Sequence, residues 1–123
     1  MINNVILVGR LTEDPKLKKF GEGYSVCDVC LAVTRPFKDM QTGEYGVDFI
    51  KVSLWNGISN TVYQYTQKGD TIGIKGRVAT KCKEVNGVNN YYLEIIGERV
   101  AFINLKNAKD GLKLTEDVEE MDG

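Results

Sequence analysis

Asp48-Phe49-Ile50-Lys51-Val52-Ser53-Leu54-Trp55 is the clearest strand in the chain. Successive side chains of a strand point to opposite faces. Ile50, Val52 and Leu54 therefore share one face, wholly aliphatic, and Phe49, Lys51, Ser53 and Trp55 share the other. The first set reads as core. The second, two aromatics alternating with a cation and a hydroxyl, is neither core nor an ordinary solvated surface.

Working outward, Arg35 to Gly46 contains Pro36, Gly43 and Gly46 and reads as a long hairpin loop. Before it, Ser25 to Thr34 reads as a strand with Cys27, Val29, Leu31 and Val33 on its core side. Gly21-Glu22-Gly23 and Asp14-Pro15 mark turns, and Asn4 to Leu11 forms a first strand with a bulge or sharp bend at Gly9. On the other side, Ile58, Val62 and Tyr65 at i, i+4 and i+7 predict a helix from about Ile58 to Lys68, stopped by Gly69. A fourth strand runs from Thr71 to Lys83, with Lys75, Arg77, Lys81 and Lys83 on one face. Asn86-Gly87 predicts a tight turn, and Tyr91 to Phe102 a fifth strand. Too few helices are present for a parallel doubly wound sheet. The order fits an all-β, five-stranded Greek-key barrel of the OB-fold type, with one short helix between the third and fourth strands.

Charge is unevenly placed. The chain carries sixteen cations and seventeen anions, a net charge of −1. Residues 107–123 hold two of the cations and six of the anions, which leaves residues 1–106 with fourteen and eleven, a net of +3. The expected organisation is one domain over residues 1–106 and a short acidic, solvated tail over residues 107–123.

Several chemistries are excluded. Without histidine, His-based acid–base catalysis and His-ligated metal sites are impossible. Neither common Gly-rich phosphate cradle occurs. Three cysteines form an odd set, suited to a reducing cytoplasm. Cys27-Asp28-Val29-Cys30 has a Cys-x-x-Cys spacing, but on an extended strand its two thiols point to opposite faces, and buried apolar packing is the reading preferred for them. Tyr24, Tyr45, Tyr63, Tyr91 and Tyr92 are less informative, and most of them are read as packing residues. The longest apolar run, Val29 to Val33, is far too short to span a bilayer, and Met1-Ile2-Asn3-Asn4 lacks the features of a signal peptide. A non-enzymatic cytoplasmic protein without cofactor or membrane contact is expected.

The decorated face supplies a function. Aromatic planes stack on unpaired bases at about 1–3 kcal/mol each, and lysine or arginine neutralises phosphates. Phe49, Lys51 and Trp55, with Arg35, Phe37 and Lys38 in the preceding loop, form such a set, and Lys75, Arg77, Lys81 and Lys83 extend it as a phosphate track. Stacking is indifferent to base identity, so sequence-tolerant binding of single strands is expected. The competing readings are Phe49 and Trp55 packed under a loop or a partner subunit, and a fourth strand whose cations guard an exposed edge.

The residues also resemble a known family, the bacterial single-stranded DNA-binding proteins. The likeness lies in Asn3 to Pro15, Leu31-Ala32-Val33, Asp48-Phe49-Ile50 through Leu54-Trp55, Tyr65 with Lys68-Gly69-Asp70, Gly76-Arg77-Val78 and Leu93-Glu94-Ile95. It implies an OB-fold protomer, usually a homotetramer although a dimer is also compatible, that coats single-stranded DNA in replication, recombination and repair, near the nucleoid. It places stacking residues on Phe37, Phe49 and Trp55, and a phosphate contact on Lys83 where relatives carry an aromatic. Relatives that recruit replication or repair proteins end in an apolar tip closed by phenylalanine. Glu116 to Gly123 is acidic without that tip, which leaves recruitment through the tail open. A primosome-type accessory subunit and an RNA-binding OB module are the alternatives.

Overall fold

Seven elements follow one another along residues 1–105, the residues described by the structure, a computed structural model. They are β1 (Val5–Leu11), β2 (Lys16–Phe20), β3 (Tyr24–Lys38), β4 (Tyr45–Trp55), α1 (Asn56–Tyr65), β5 (Thr71–Val85) and β6 (Val88–Asn104). The acidic tail expected over residues 107–123 lies outside the described residues.

Five of the strands close into a barrel. β1 pairs antiparallel with β5, β5 with β6, and β4 with β3, while β3 returns to β1 at Arg10↔Ala32 and Leu11↔Leu31. The remaining seam, β4 with β6, is parallel and only two residue pairs long, Val52↔Ile95 and Ser53↔Ile96. Inside, Leu11, Cys27, Val29, Leu31, Val52, Leu54, Ile72, Ile74, Val100 and Phe102 form one core, and Ile58 and Val62 of α1 join it. This is the OB-fold barrel with a short helix after its third barrel strand.

The differences from expectation have physical causes. The chain contains a sixth strand, because Lys16–Phe20 pairs with β3 from Lys16↔Asp28 to Phe20↔Tyr24. Half of the segment read as a loop is strand. β3 continues through Arg35-Pro36-Phe37-Lys38 and β4 begins at Tyr45, with a register shift between Thr34 and Lys38 that accommodates Pro36, which has no N–H to give a ladder. At Gly9 no bulge occurs and the β1–β5 register is continuous. Glycine is required there because a Cβ would lie 2.8 Å from the carbonyl oxygen of Ala32, where β1 passes from β5 to β3.

Helix α1 is shorter than its apolar spacing suggests. Thr66 is extended, and both its N–H and its hydroxyl donate to the Val62 carbonyl, which ends the helix at Tyr65. The amide of Gly69 donates instead to the Leu11 carbonyl, so this glycine ties the chain to β1. The turn at Asn86-Gly87 is as expected, with φ of 52° and 78°.

Candidate nucleic-acid interface

The outer face of the barrel can be followed across five strands in one row. Lys16 lies opposite Asp28, Asp28 opposite Ser53, Ser53 opposite Ile96, and Ile96 opposite Arg77. Residues directly opposite one another share a face. The face that carries Phe49, Lys51, Ser53 and Trp55 on β4 is therefore continuous with the face that carries Lys75, Arg77, Lys81 and Lys83 on β5. What the alternation of each strand suggested separately, the register joins.

Phe49 is 69% exposed and Trp55 37% exposed. They stand six residues apart on one strand, roughly 20 Å, with Lys51 and Ser53 between them. Val26, opposite Trp55 and flanked by Lys18, is buried although it points outward. Trp55 also borders a shallow groove of about 380 Å³ lined by Asn56, Lys75, Ile96, Glu98 and Arg99. Neither ring is packed under a loop of its own protomer, because both are open on its outer face.

Glycines shape this groove. Gly76 and Gly97 lie opposite each other where β6 carries an extra residue, Glu98, against β5. A Cβ on Gly76 would meet the Ile96 backbone, and one on Gly97 would meet Leu54 inside the barrel. Their absence lets the strands coil closely and turns Glu98 outward beside Arg77, its carboxylate 3.6 Å from the Arg77 Nε.

The hairpin beyond the barrel end is arranged differently. Arg35 donates from Nε and a terminal nitrogen to the same Asp48 oxygen, at 3.0 and 2.8 Å. Its side chain passes over Gly46, in the space a Cβ there would fill. Gly46 and Asp48 belong to the alternation set of Ile50, so Arg35 lies on the opposite side of the hairpin from Phe49. The hydrogen bond holds the Asp48 carboxyl below its ordinary range and the Arg35 guanidinium above its own. Lys38 Nζ stands 5.8 Å from the centre of the Tyr45 ring, and Phe37 is 63% exposed.

Sequence reasoning missed several residues of this face. Lys16 and Lys18 of β2 join it, with Leu17 between them turned toward the core. Their signal was the alternation Lys-Leu-Lys, short and carrying a single apolar residue. Tyr92, opposite Lys81, also belongs to it. Tyr24, Tyr45, Tyr63, Tyr91 and Tyr92, most of them expected to be packing residues, are all exposed, Tyr91 and Tyr24 most of all. The cysteines divide as the strand geometry requires. Cys27 is buried, with its thiol pushed up to about 11 chiefly by burial, while Cys30 lies half-buried on the outer face opposite Lys51. Thiols on opposite faces of one strand cannot share a metal ion. Of the two thiols expected to pack as apolar groups only Cys27 is buried, and Cys82 is exposed.

The barrel and its face define a class, an OB-fold module built to hold an extended chain across its middle strands. The chain belongs to the single-strand binding protein family, which matches residues 2–103. That family binds without catalysing a reaction. Among similar proteins, Single-stranded DNA-binding protein B of Bacillus subtilis is 40% identical over 107 residues, 86% of this chain and 94% of that one. Single-stranded DNA-binding protein 3 of Listeria innocua is 43% identical over 107 residues, 86% of this chain and 66% of its own length. Single-stranded DNA-binding protein 2 of Clostridium acetobutylicum is 33% identical over 129 residues, 98% of this chain and 96% of its own. Among the described residues no helix is long and apolar enough to cross a membrane.

Proposed function

We propose that this chain coats single-stranded DNA without regard to sequence, and so serves replication, recombination and repair on the nucleoid. The observation that carries the reading is the single row of residues joining the exposed rings of Phe49 and Trp55 to the cations of β2 and β5. Bases stack on the rings, and Lys16, Lys18, Lys51, Lys75, Arg77, Lys81 and Lys83 take phosphates. Phe37 and Lys38 reach the same strand from the β3–β4 hairpin, and Arg35 acts by holding that hairpin through Asp48. The relatives' names support DNA as the ligand. Adding oligo-dT should quench the fluorescence of Trp55, the only tryptophan, with an affinity that falls as salt rises. Unchanged fluorescence together with no retained oligonucleotide at low salt overturns the reading. Paired RNA and DNA titrations separate it from an RNA-binding module.

The protomer works as a homo-oligomer, a tetramer by the family likeness. Support comes from the outer face of β1, where Ile6, Val8 and Ile103 are exposed around an apolar groove of about 290 Å³. Among the described residues β1 meets β3 only at Arg10 and Leu11, which leaves its edge over Val5–Gly9 open to a second copy.

A further inference from the structure

Two of the cations assigned to phosphate are already occupied. Lys81 Nζ lies 2.8 Å from Glu94 Oε2, and Arg77 Nε lies 3.6 Å from Glu98 Oε2. Both acids project from β6 within the outer face, between the rings of β4 and the cations of β5. Among the described residues Lys51, Lys75 and Lys83 make no such pair.

Glu94 is the more unusual of the two. Its side chain is 11% exposed, and its second oxygen, Oε1, is buried without a hydrogen-bond partner. A carboxylate taken from water with one oxygen unsatisfied destabilises a fold. Stability therefore does not account for Glu94, and its place in the interface has to. Glu98 reaches the same face only because the extra residue of β6 turns it outward.

We propose that Glu94 and Glu98 are affinity-setting residues of the interface, each carboxylate holding the cation that a phosphate of the bound strand must take. Binding is then an exchange of carboxylate for phosphate rather than capture by idle cations. The inference rests on the reading that this face takes the strand. Two effects follow. Affinity is lower than the cation count of the face implies, because each exchange gives up an ion pair. Salt dependence is shallower, because a carboxylate released from its partner gathers a counterion while the strand sheds one. Together they keep the coat easy to strip from DNA.

The test uses the full chain and a fluorescent oligo-dT at several salt concentrations. Glu94→Gln and Glu98→Gln should each bind about two- to fivefold more tightly at low salt, the range expected for releasing a partly exposed pair. The slope of log affinity against log salt should steepen by up to about 0.7 for each. Lys81→Ala should cost less in the parent than in the Glu94→Gln background. Glu13→Gln, which removes the same charge between β1 and β2, should change little. Equal or weaker binding by both glutamine variants overturns the proposal, as does an equal gain from Glu13→Gln. If Glu94→Gln fails to fold, Glu98→Gln and the slope of the parent against Arg77→Ala decide. A parent that retains no oligonucleotide refutes the site itself, which is a different result.

Discussion

The barrel turns two apolar surfaces to solvent, and they differ in kind. On the outer side of β4, Phe49 and Trp55 alternate with Lys51 and Ser53 and look across to the cations of β5. On the outer side of β1, Ile6 and Val8 meet Ala101 and Ile103 with Gly73 as floor, an aliphatic groove bordered by Lys75 and Arg99, which it shares with the groove beside Trp55. Flat rings set among charges suit a ligand that is itself alternately flat and anionic. Branched aliphatic side chains beside an open strand edge suit another polypeptide. Exposure alone does not distinguish the two surfaces. The chemistry between the exposed residues does.

Removing rings from the first surface should have the largest effect. Phe49→Ala and Trp55→Ala should each weaken oligo-dT binding by about 1–3 kcal/mol, measured by fluorescence anisotropy, with thermal unfolding little changed. Global unfolding instead would mean that the rings are structural and would erase the contrast. On the second surface, Ile6→Lys with Val8→Lys should reduce the mass in solution to that of a protomer, while an oligonucleotide short enough for one protomer binds within about twofold of the parent, a surface substitution away from the ligand being worth about 0.5 kcal/mol or less. Loss of both properties together would show that the surfaces are one.

Thiols give a finer comparison. Saturating oligo-dT should slow maleimide modification of Cys30, on the first surface, but not of Cys82, which lies in the opposite alternation set from Lys81 and Lys83. Cys27 should stay unmodified at neutral pH, since burial holds its thiol protonated to about 11. Protection of Cys82 alone would place the strand on the wrong side of the β5–β6 hairpin. The smallest effect belongs to the hairpin pair. Because the folded Asp48 carboxyl is held below its ordinary range, the Arg35 contact is fully present above that range and lost as pH falls through the lowered value. Asp48→Asn should remove this acid-side loosening, followed by hydrogen exchange of the β3–β4 hairpin, and change neutral-pH binding less than Phe49→Ala does. An effect as large as that of Phe49→Ala would make Arg35 a direct contact.

How legible all this was depended on where water acted as a ruler. In β4 one face is aliphatic and turned to the core, with Val52 and Leu54 buried and Ile50 packed against them, so a shift of one residue would be ruinous and the alternation is unmistakable. The same held for Cys27 to Val33. In Lys16–Phe20 only Leu17 turns inward, too little for a pattern, and the strand went unread with its two lysines. Arg35 to Gly46 failed for another reason. Proline and glycine usually punctuate loops, but here Pro36 and Gly46 sit in two strands that run past the barrel end and pair chiefly with each other, and only Gly43 lies in the turn between them. The carboxylates on the binding face were out of reach because partnership across strands depends on register, and Glu98 owes its place to an extra residue in β6 that no local pattern announces. The rings and the cations were legible as a set, and only the register across β6 shows that they share one face.

The seam between Val52-Ser53 and Ile95-Ile96 is as short as the β1–β3 join at Arg10 and Leu11, and it alone runs beneath the proposed binding surface. On the proposed reading, a ligand lying across Ser53 and Ile96 acts as a suture over a two-pair join. Occupancy and architectural integrity are then coupled, and under that reading the filled molecule is also the more tightly closed one.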